Sequence, residues 1–415
     1  MAETLLSELA KHAKAASRVL AASTSAERDE ALAQAAEMLR QRCEEILRGN
    51  ESDLRRARDA DQPAAVIDRL GLSEARVEAM AQGVEAVSRL ADPVGETVDG
   101  WVLPNGATVR RVRVPLGVVG IIYENRPNVT SDAAAICIKS GNAAFLRGSS
   151  GALESNRVIA AALREGIAKA GLPADSVILV EDTARDTVKD FVRLRGLIDC
   201  VIPRGGKGLV ETVLENASVP VVLDGDGNCH VYVDATADLD MAEKIVVNAK
   251  MQRPSVCNAM ETLLVHEAVA GTFLPRIAAA LEGVELRGDA ATCGLVPGAK
   301  PATDDDFATE FLALILAVAV VPSLDAAIDH ITRFSSGHSE AIVTSDVGAA
   351  RRFVREVDAA AVLVNASTRL VDGGELGFGA EIGISTQKLH ARGPMSVHEL
   401  TCVKFVIEGD GQVRL

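Results

Sequence analysis

The sequence predicts an α/β protein with parallel sheets, and two series of patterns lead to this fold class. Between Val118 and Ile202, short apolar runs typical of strands alternate with amphipathic segments typical of helices. A second series of the same kind follows Cys257. Because right-handed crossover helices join parallel strands at this spacing, we expect a Rossmann-type domain and a second α/β domain.

The N-terminal segment is predicted to be helical. Apolar residues recur at helical spacing from Leu5 to Leu20. A second helix should begin at the cap residue Ser25 and stop near Gly49 and Asn50.

Two β-hairpins are predicted outside the alternating series. The first runs from Val102 to Val114 around an Asn105-Gly106 turn, which is a common hairpin signal. The second runs from Val403 to Leu415 around the turn Glu408-Gly409-Asp410-Gly411. A lone hairpin is marginal in water and leaves unpaired edges, so both are expected to need partners.

The alternating series gives the remaining elements. Strands are expected at Val118–Tyr123, Ala143–Leu146, Val177–Val180, Cys200–Ile202, Thr262–Val265, Ala341–Thr344 and Ala361–Val364. Helices are expected at Ser131–Lys139, Leu153–Ala170, Leu239–Lys250, Ala268–Leu281, Leu324–Arg333 and Val347–Glu356.

Composition and charge restrict the function classes. The chain has 415 residues, of which 48% are hydrophobic, and 58 acidic against 43 basic residues give a net charge of -15. That balance argues against nucleic acid or an anionic membrane as a partner, because both are bound through dense basic surfaces. With no signal-like N-terminus and no apolar run of about 18 residues, a cytoplasmic protein is expected.

The cysteines indicate neither disulfides nor metal. There are seven, an odd number, and none forms a CxxC pair or a cluster with metal-ligand spacing. A reducing compartment fits this usage. Cys257 differs from the others because it lies between a helix-like and a strand-like run, with Arg253 and Pro254 just before it. A nearby cation favours the thiolate, so Cys257 is a candidate nucleophile, although a small buried structural cysteine is the alternative.

Two glycine-rich loops are candidate ligand sites. In the first, a strand runs into Arg204, Gly205 and Gly206 before a helix, an arrangement suited to phosphate but also common in ordinary turns; Lys207 adds a further basic residue. The second, Gly373–Gly379, would be flexible beside a ligand or simply a surface loop.

Five blocks of the chain resemble the gamma-glutamyl phosphate reductase family of the aldehyde dehydrogenase superfamily. The resemblance covers nearly the whole length and is most specific in the last block. The blocks are Pro115–Asn128, Ile202–Gly208, Asn248–Asn258, Ala327–Ile342 and Asp372–Pro394.

The resemblance implies roles for individual residues. The family's nucleophilic cysteine falls on Cys257. The superfamily asparagine that donates to the thioester oxyanion falls on Asn125, but Asn128 of the family's Arg-Pro-Asn motif competes for that role. Residues expected to bind the substrate are Arg126, Arg253, Ser255, Lys388 and Arg392.

The cofactor implied is NADPH/NADP. Arg147 falls on the superfamily's basic residue near the adenosine ribose, where an arginine could pair with a 2′-phosphate. Glu310 falls on the glutamate that holds the nicotinamide ribose. The full expected set is Arg147, Ser149, Arg204, Gly205, Gly206 and Glu310.

The implied reaction is the NADPH-dependent reduction of L-glutamyl 5-phosphate to L-glutamate 5-semialdehyde and phosphate, the second step of proline biosynthesis from glutamate. Oxidising relatives use a glutamate to activate the hydrolytic water, and Leu223 stands at that position. The lack of a base there favours exchange with phosphate, although Asp224 and Asp226 lie nearby in sequence.

The resemblance also predicts domains and assembly. Residues 1–98 and 116–228 would form the cofactor-binding domain, 229–385 the catalytic domain, and 99–115 with 395–415 an oligomerisation arm. A homodimer or homotetramer and a functional coupling to glutamate 5-kinase are expected.

Three alternatives remain at this stage. Another phosphorylating or non-phosphorylating aldehyde dehydrogenase would share the fold and the cysteine. A cysteine hydrolase or amidotransferase would need a histidine partner for Cys257, the candidates by composition being His230, His266, His330 and His338. A non-catalytic nucleotide-binding protein would tolerate loss of the cysteine.

Overall fold

A computed structural model describes residues 2–414, except for the side chains of residues 2–4, 65 and 207. The predicted basic residue Lys207 therefore has no described side chain. The chain forms two compact units. The first comprises the residues up to Leu223, Gly377–Gly383 and the residues from Met395 onward, and the second comprises Asp224–Leu376 and Ile384–Pro394.

The α-helices, numbered along the chain, have the following bounds. They are α1 Ala2–Ala22, α2 Ser25–Gln41, α3 Cys43–Asp59, α4 Ala64–Leu70, α5 Glu74–Ser88, α6 Asn128–Lys139, α7 Leu153–Lys169, α8 Arg185–Phe191, α9 Lys207–Asn216, α10 Leu239–Met251, α11 Glu267–Ala280, α12 Ala290–Leu295, α13 Asp304–Phe307, α14 Leu324–Phe334 and α15 Val347–Glu356. Short 3₁₀ turns occur at Ser150–Ala152, Ala174–Ser176 and Thr368–Leu370.

The strands are numbered in the same way. They are β1 Thr97–Val102, β2 Thr108–Pro115, β3 Val118–Tyr123, β4 Ala143–Gly148, β5 Val177–Leu179, β6 Cys200–Arg204, β7 Cys229–Val233, β8 Met260–His266, β9 Glu285–Gly288, β10 Lys300–Pro301, β11 Ile315–Val321, β12 Ser339–Val343, β13 Ala361–Val364, β14 Gly383–Ser385, β15 Gly393–Met395 and β16 Thr401–Glu408.

The first unit contains a parallel sheet in the order β5-β4-β3-β6. Strands β3 and β4 are buried along their whole length, as near-continuous apolar runs require when helices cover both faces of a parallel sheet. Since β6 lies beside β3 rather than beside β5, the strand order reverses at β3. Ligands of such sheets bind beyond the carboxyl ends of the strands near that reversal.

The predicted second helix is wrong in its extent. The helical segment breaks at Arg42, and α3 continues through Gly49 and Asn50 to Asp59. Tertiary contacts explain this result. A Cβ on Gly49 would lie 3.0 Å from the Glu154 carbonyl oxygen, and buried Asn50 donates from Nδ2 to the Leu70 carbonyl oxygen over 2.8 Å. These residues therefore allow close packing and do not end the helix.

The first predicted hairpin is confirmed, and its first strand begins earlier, at Thr97. The second hairpin is wrong. Strand β16 pairs antiparallel with β2, but residues 412–414 form no strand. Instead the Gln412 side chain accepts from the Asp410 amide and donates to the Asn105 carbonyl oxygen, so it closes the two turns against each other.

In the second unit, seven of the described strands form a parallel sheet in the order β10-β9-β11-β8-β7-β12-β13. Helices α10 and α11 pack on one face through residues such as Ile245 and Phe273. Helices α14 and α15 cover the other face through Ile331 and Phe353. The α/β prediction is confirmed in both units. Among the described residues, no helix combines the length and apolar character needed to cross a membrane.

Candidate active site

Cys257 lies in the loop between α10 and β8, as the sequence predicts, and its side chain is partly exposed. The loop turns tightly, because the Ala259 amide donates to the Val256 carbonyl oxygen over 3.0 Å. The buried Cys229 thiol donates to the Cys257 carbonyl oxygen over 3.2 Å. The backbone of the candidate nucleophile is thus held while its side chain reaches the surface of the unit.

Gly227 lies very close to this loop. A methyl group there would overlap the Cys257 carbonyl group and lie 2.5 Å from its Cα. Real Cβ atoms do not come so near backbone atoms, and backbone cannot swing aside as a long side chain can. The chain therefore requires glycine at this position so that the segment before β7 can pass under the cysteine.

Glu310 is connected to the same point. Its Oε1 accepts from the Gly227 amide over 2.8 Å. Burial raises the pKa of Glu310, the Gly227 amide opposes that change, and the neighbouring charges of Asp226 and Asp224 raise the pKa further. The predicted cofactor residue Glu310 and the candidate nucleophile are thus joined through one glycine.

Arg369 is the functional candidate that the sequence analysis missed in this unit. Its Nε donates to Gln252 Oε1 over 2.9 Å, and its Nη1 donates to Asn258 Oδ1. These two acceptors stand on either side of Cys257. Burial lowers the pKa of Arg369, and a Cys257 thiolate would raise it, so the guanidinium lies within electrostatic range of the sulfur.

The predicted substrate residues divide into two groups in the second unit. Arg253 and Ser255 lie in the cysteine loop, Arg253 with an exposed side chain. Lys388 and Arg392 instead both form ion pairs with the exposed carboxylate of Asp358, the Arg392 pair over 2.8 Å. Their role in substrate binding stays a prediction.

Two of the histidines considered for a hydrolase have partners other than Cys257. His266 accepts from the Ala268 amide at the start of α11, and His230 Nδ1 lies 3.0 Å from Glu340 Oε2. Burial lowers the pKa of His338 to about 4, and burial with the His230 charge lowers the pKa of His330 to about 3. His338 and His330 are therefore neutral at pH 7; His338 is buried, and the half-buried His330 packs against Phe307 and Phe334.

In the first unit, Asn125 follows β3 in the left-handed region, with φ of 47°. Its amide donates to Ser149 Oγ over 3.1 Å, and that hydroxyl donates back to Asn125 Oδ1 over 2.9 Å. Gly151 allows this arrangement, because a Cβ there would overlap Oδ1. With its oxygen held by Ser149, the side-chain amide of Asn125 presents its N–H groups away from that contact.

Asn128, the competing candidate, begins α6. Its Nδ2 donates to Asp132 Oδ2 over 2.8 Å. Burial raises the pKa of Asp132 to about 6, against hydrogen bonds from Asn128 and Ser131 and the charge of Arg204. One of the two N–H groups of Asn128 is thus committed to this carboxyl group.

The glycine loop after β6 holds a carboxylate. The Gly206 amide, at the N-terminus of α9, donates to Glu124 Oε2 over 3.1 Å, and a Cβ on Gly205 would lie 2.5 Å from the same oxygen. Helix N-termini attract anions through their free amides and dipole. The predicted phosphate loop therefore does bind an anion, and that anion is an exposed side chain of the protein itself.

Arg147 lies in β4, near its carboxyl end, and is almost completely buried. Its Nη2 donates to the carbonyl oxygens of Thr183 and Ala184 over 2.7 and 3.0 Å, while its buried Nε has no hydrogen-bond partner among the described residues. Burial lowers the pKa of Arg147, and the charges of Asp182 and Glu124 oppose that. The buried Nε of Arg147 is thus an unsatisfied donor near the carboxyl end of β4, and its contact with a cofactor phosphate stays a prediction.

Predicted catalytic and cofactor residues of the first unit converge at one sheet edge. Asn125, Ser149 and Gly206 all follow the carboxyl ends of neighbouring strands β3, β4 and β6. Sequence reasoning missed Glu124 and Asp132 here, although Glu124 stands beside Asn125 in the Pro115–Asn128 block. In the described part of the chain, no group of three or more His, Cys, Asp or Glu residues could hold a metal ion.

Comparison with known proteins places these features in a family. Residues 2–300 match the model of the aldehyde dehydrogenase family. The chain is 56% identical over 408 residues to a gamma-glutamyl phosphate reductase of Carboxydothermus hydrogenoformans, covering 98% of each chain. It is 54% identical over 409 residues to the reductase of Thermobifida fusca, again covering 98% of each.

Solved structures agree. The crystal structure of a gamma-glutamyl phosphate reductase from Thermotoga maritima superposes with a TM-score of 0.96 at 49% identity, covering 99% of this chain and 100% of that one. An acetylating aldehyde dehydrogenase from Geobacillus thermoglucosidasius shares the fold alone, with a TM-score of 0.72 at 17% identity over 100% of this chain and 98% of that one.

Proposed function

Since the chain belongs to the gamma-glutamyl phosphate reductase family of the aldehyde dehydrogenases, we propose that it reduces L-glutamyl 5-phosphate to L-glutamate 5-semialdehyde and phosphate. The observation that carries this proposal is identity above one half across 98% of the chain to a relative with that name. The product would supply proline biosynthesis.

Cys257 is the proposed nucleophile. Its thiolate attacks the acyl carbon of the substrate, a C–S bond forms, and the C–O bond to phosphate breaks with its electron pair leaving on the phosphate. Addition of hydride to the resulting thioester gives a hemithioacetal oxyanion. When that oxyanion collapses, the C–S bond breaks and returns the electron pair to the sulfur. The firmly held backbone of Cys257 supports this assignment, because a fixed nucleophile lowers the entropy cost of attack.

A reduced nicotinamide supplies the hydride when it is bound, as the aldehyde dehydrogenase family implies. NADPH is the proposed form. Arg147, with its buried unpartnered Nε, would hold the 2′-phosphate of NADPH. The Gly206 amide would hold the pyrophosphate of the cofactor once the Glu124 carboxylate moves away. Glu310 is proposed to hold the nicotinamide ribose.

Asn125 is proposed as the oxyanion donor in preference to Asn128. Ser149 fixes the oxygen end of the Asn125 amide, which leaves its nitrogen end to donate. Asn128 already donates to Asp132, so part of its capacity is used. Removing one oxyanion donor typically costs about 10²–10³ in kcat. Asn125→Ala should therefore have a much larger effect than Asn128→Ala.

The proposed reaction is tested in reverse. The purified chain is given glutamate semialdehyde and NADP, with or without phosphate, and the near-ultraviolet absorbance of the reduced cofactor is followed. Strict phosphate dependence supports the proposal, whereas equal rates without phosphate would assign the chain to the non-phosphorylating aldehyde dehydrogenases. Repeating the assay with NAD tests the choice of cofactor.

Leu223→Glu sharpens this distinction. A carboxylate at the position of the water-activating base should introduce oxidation of the semialdehyde to glutamate without phosphate. Leu223→Gln is the matched control, because glutamine is similar to glutamate in size and polarity but cannot act as a base. Equal phosphate-independent rates in both variants would remove the argument based on Leu223.

The small sheet β1-β2-β16 is proposed as an oligomerisation arm, giving a homodimer or homotetramer. Trp101 stacks edge-on against Phe405, yet their side chains remain 46% and 60% exposed, and Ile407 on the same face is 64% exposed. An exposed apolar face with open strand edges favours association. Deleting residues 403–415 should release monomers in light scattering, and a monomeric intact protein at micromolar concentration would contradict the arm. Coupling to glutamate 5-kinase remains a further proposal, tested by co-purification.

A further inference from the structure

Arg369 connects the two ends of the loop that carries the nucleophile. Gln252 directly follows α10, and Asn258 directly follows Cys257. The Arg369 guanidinium donates to the side-chain oxygens of both residues. A planar guanidinium has its donors in a fixed fork, so it fixes the separation of two acceptors in a way that a flexible ammonium cannot.

Both the oxygen and the nitrogen of the Asn258 side-chain amide form hydrogen bonds with the segment that contains Arg369. Asn258 Oδ1 accepts from Arg369, while its Nδ2 donates to the Val371 carbonyl oxygen over 2.8 Å. Both ends of this buried amide are therefore bound by the same short segment. That segment is ordered in turn by the 3₁₀ turn Thr368–Leu370, where Ser367 Oγ accepts from the Arg369 amide. The loop is held by an element that itself has a defined conformation.

The charge of Arg369 is not neutralised by a close carboxylate. Among the described residues, no Asp or Glu lies within ion-pair distance of it, and its two side-chain acceptors are neutral amides. Burial lowers the pKa of Arg369, while Asp372 acts against that from longer range, Arg253 lowers the pKa, and a Cys257 thiolate raises it. A guanidinium stays charged under all ordinary conditions, so its field is available to the sulfur.

We propose that Arg369 is the positioning residue of the nucleophile: its guanidinium fixes the loop from Gln252 to Asn258, and its charge stabilises the Cys257 thiolate. The inference rests on the proposed thioester chemistry. It assigns two separable effects to one side chain. The hydrogen bonds set the orientation of the sulfur, and the charge sets how much of it is ionised at neutral pH.

Three variants separate these effects. Arg369→Met removes both hydrogen bonds and charge, Arg369→Lys retains the charge but not the fork, and Gln252→Met removes one acceptor and leaves the guanidinium. Arg352→Met is the matched control, because Arg352 pairs with Asp325 and Glu356 at the surface of α15 in the same unit.

The first measurement is alkylation of Cys257 by iodoacetamide from pH 5 to 9, quantified on the Cys257 peptide by mass spectrometry because other cysteines are partly exposed. Arg369→Met should move the midpoint of the profile upward by about one pH unit, the scale on which a nearby cation shifts a thiol. Arg369→Lys and Gln252→Met should leave the midpoint near that of wild type, as should Arg352→Met.

The second measurement is the reverse reaction with semialdehyde, NADP and phosphate. Arg369→Met and Arg369→Lys should both lower kcat by about 10–100-fold, with the KM for semialdehyde and phosphate within about twofold, because misplacing a nucleophile reduces turnover more than binding. Gln252→Met should show a smaller loss of kcat. Arg352→Met should retain the wild-type values.

Two results would overturn the proposal. An Arg369→Met enzyme with the wild-type alkylation profile and kcat within threefold would show that the contacts have no consequence. A raised KM with an unchanged profile would assign Arg369 to substrate binding instead. If Arg369→Met does not fold, as judged by circular dichroism, Arg369→Lys is the deciding variant. A wild-type kcat in Arg369→Lys would show that the two hydrogen bonds of the guanidinium are not needed to position the nucleophile. Activity of a Cys257→Ser enzyme would defeat the proposed chemistry separately.

Discussion

Two loops of the candidate active site, one at Gly227 and one at Gly205, each contain a glycine in a crowded position. They differ in which atoms lie close to that glycine. At Gly227 the neighbour is backbone, the Cys257 main chain, which cannot move without moving the loop. At Gly205 the neighbours are side-chain ends, Glu124 and Leu209, which can rotate away. A nucleophile needs one fixed position, whereas a cofactor must enter and leave. This difference suits the proposed roles, a fixed nucleophile at the first loop and an exchanging cofactor at the second.

The two sites also occupy opposite ends of their sheets. In the first unit, the oxyanion candidate Asn125 and the cofactor candidates Ser149 and Gly206 follow the carboxyl ends of β3, β4 and β6. In the second unit, Gly227, Cys257 and Glu310 precede the strands β7, β8 and β11, at their amino ends. The rule that open α/β sheets bind ligands beyond the carboxyl ends therefore locates the first set but not the second.

The largest expected effect is that of Cys257→Ser. A serine hydroxyl is far less ionised at neutral pH than a thiol with a pKa of about 8.5 or lower, so the reduction should fall by at least about 10³-fold. Folding and binding of the reduced cofactor should be unchanged, as measured by circular dichroism and cofactor fluorescence. Cys293→Ser, at a partly exposed cysteine of the same unit, is the control. Turnover within tenfold of wild type would exclude the thioester mechanism.

Gly227→Ala tests the rigidity of the first loop. Its methyl group would overlap the Cys257 carbonyl, so the loop must shift, and kcat/KM should fall by about 10²-fold, the cost expected for a misplacement near 1 Å. Gly205→Ala is the matched change in the other loop, where a Cβ would meet only the ends of the Glu124 and Leu209 side chains, which can rotate away, and its loss should stay below about threefold. Equal losses in both variants would end the distinction between the loops.

Glu124→Gln tests exchange at the second loop. The Glu124 carboxylate occupies the N-terminus of α9, so it competes with a phosphate for the Gly206 amide and repels its charge. Removing that charge should tighten binding of the reduced cofactor by about three- to tenfold in a fluorescence titration. Glu211→Gln, farther along the same helix, should leave the affinity unchanged. Weaker binding by Glu124→Gln would instead make Glu124 a cofactor ligand.

The smallest effect concerns the pH dependence of stability, through Asp132 in the first unit. The pKa of Asp132 is raised from 3.8 to about 6, chiefly by burial, so the folded chain binds more protons than the unfolded chain between these values. The free energy of unfolding should therefore fall as pH rises from about 4 to about 6. Asp132→Asn should remove this part of the slope, as measured by urea unfolding at pH 5 and pH 7. An unchanged slope would show that Asp132 ionises normally.

The sequence patterns predicted which helices and strands occur more accurately than where each one begins and ends. The alternating series predicted strands β3, β8 and β13 within two residues, because buried parallel strands are distinct apolar runs. The helix ending near Gly49 and the strand after Gly411 were wrong, since both predictions treated glycine as a signal of local structure alone. Gly49 serves close packing, and the side chain of Gln412 closes a turn where a strand was expected.

The sequence by itself determined the α/β fold class, the position of Cys257 between helix and strand, and the glycine loop after β6, because each is written in neighbouring residues. Only the tertiary structure decided which groups act on them. Arg369 reaches Asn258 across 111 residues, Glu310 reaches Gly227 across 83, and Glu124 reaches Gly206 across 82. No periodicity or local spacing encodes such contacts, because they exist only after the chain has brought distant segments together.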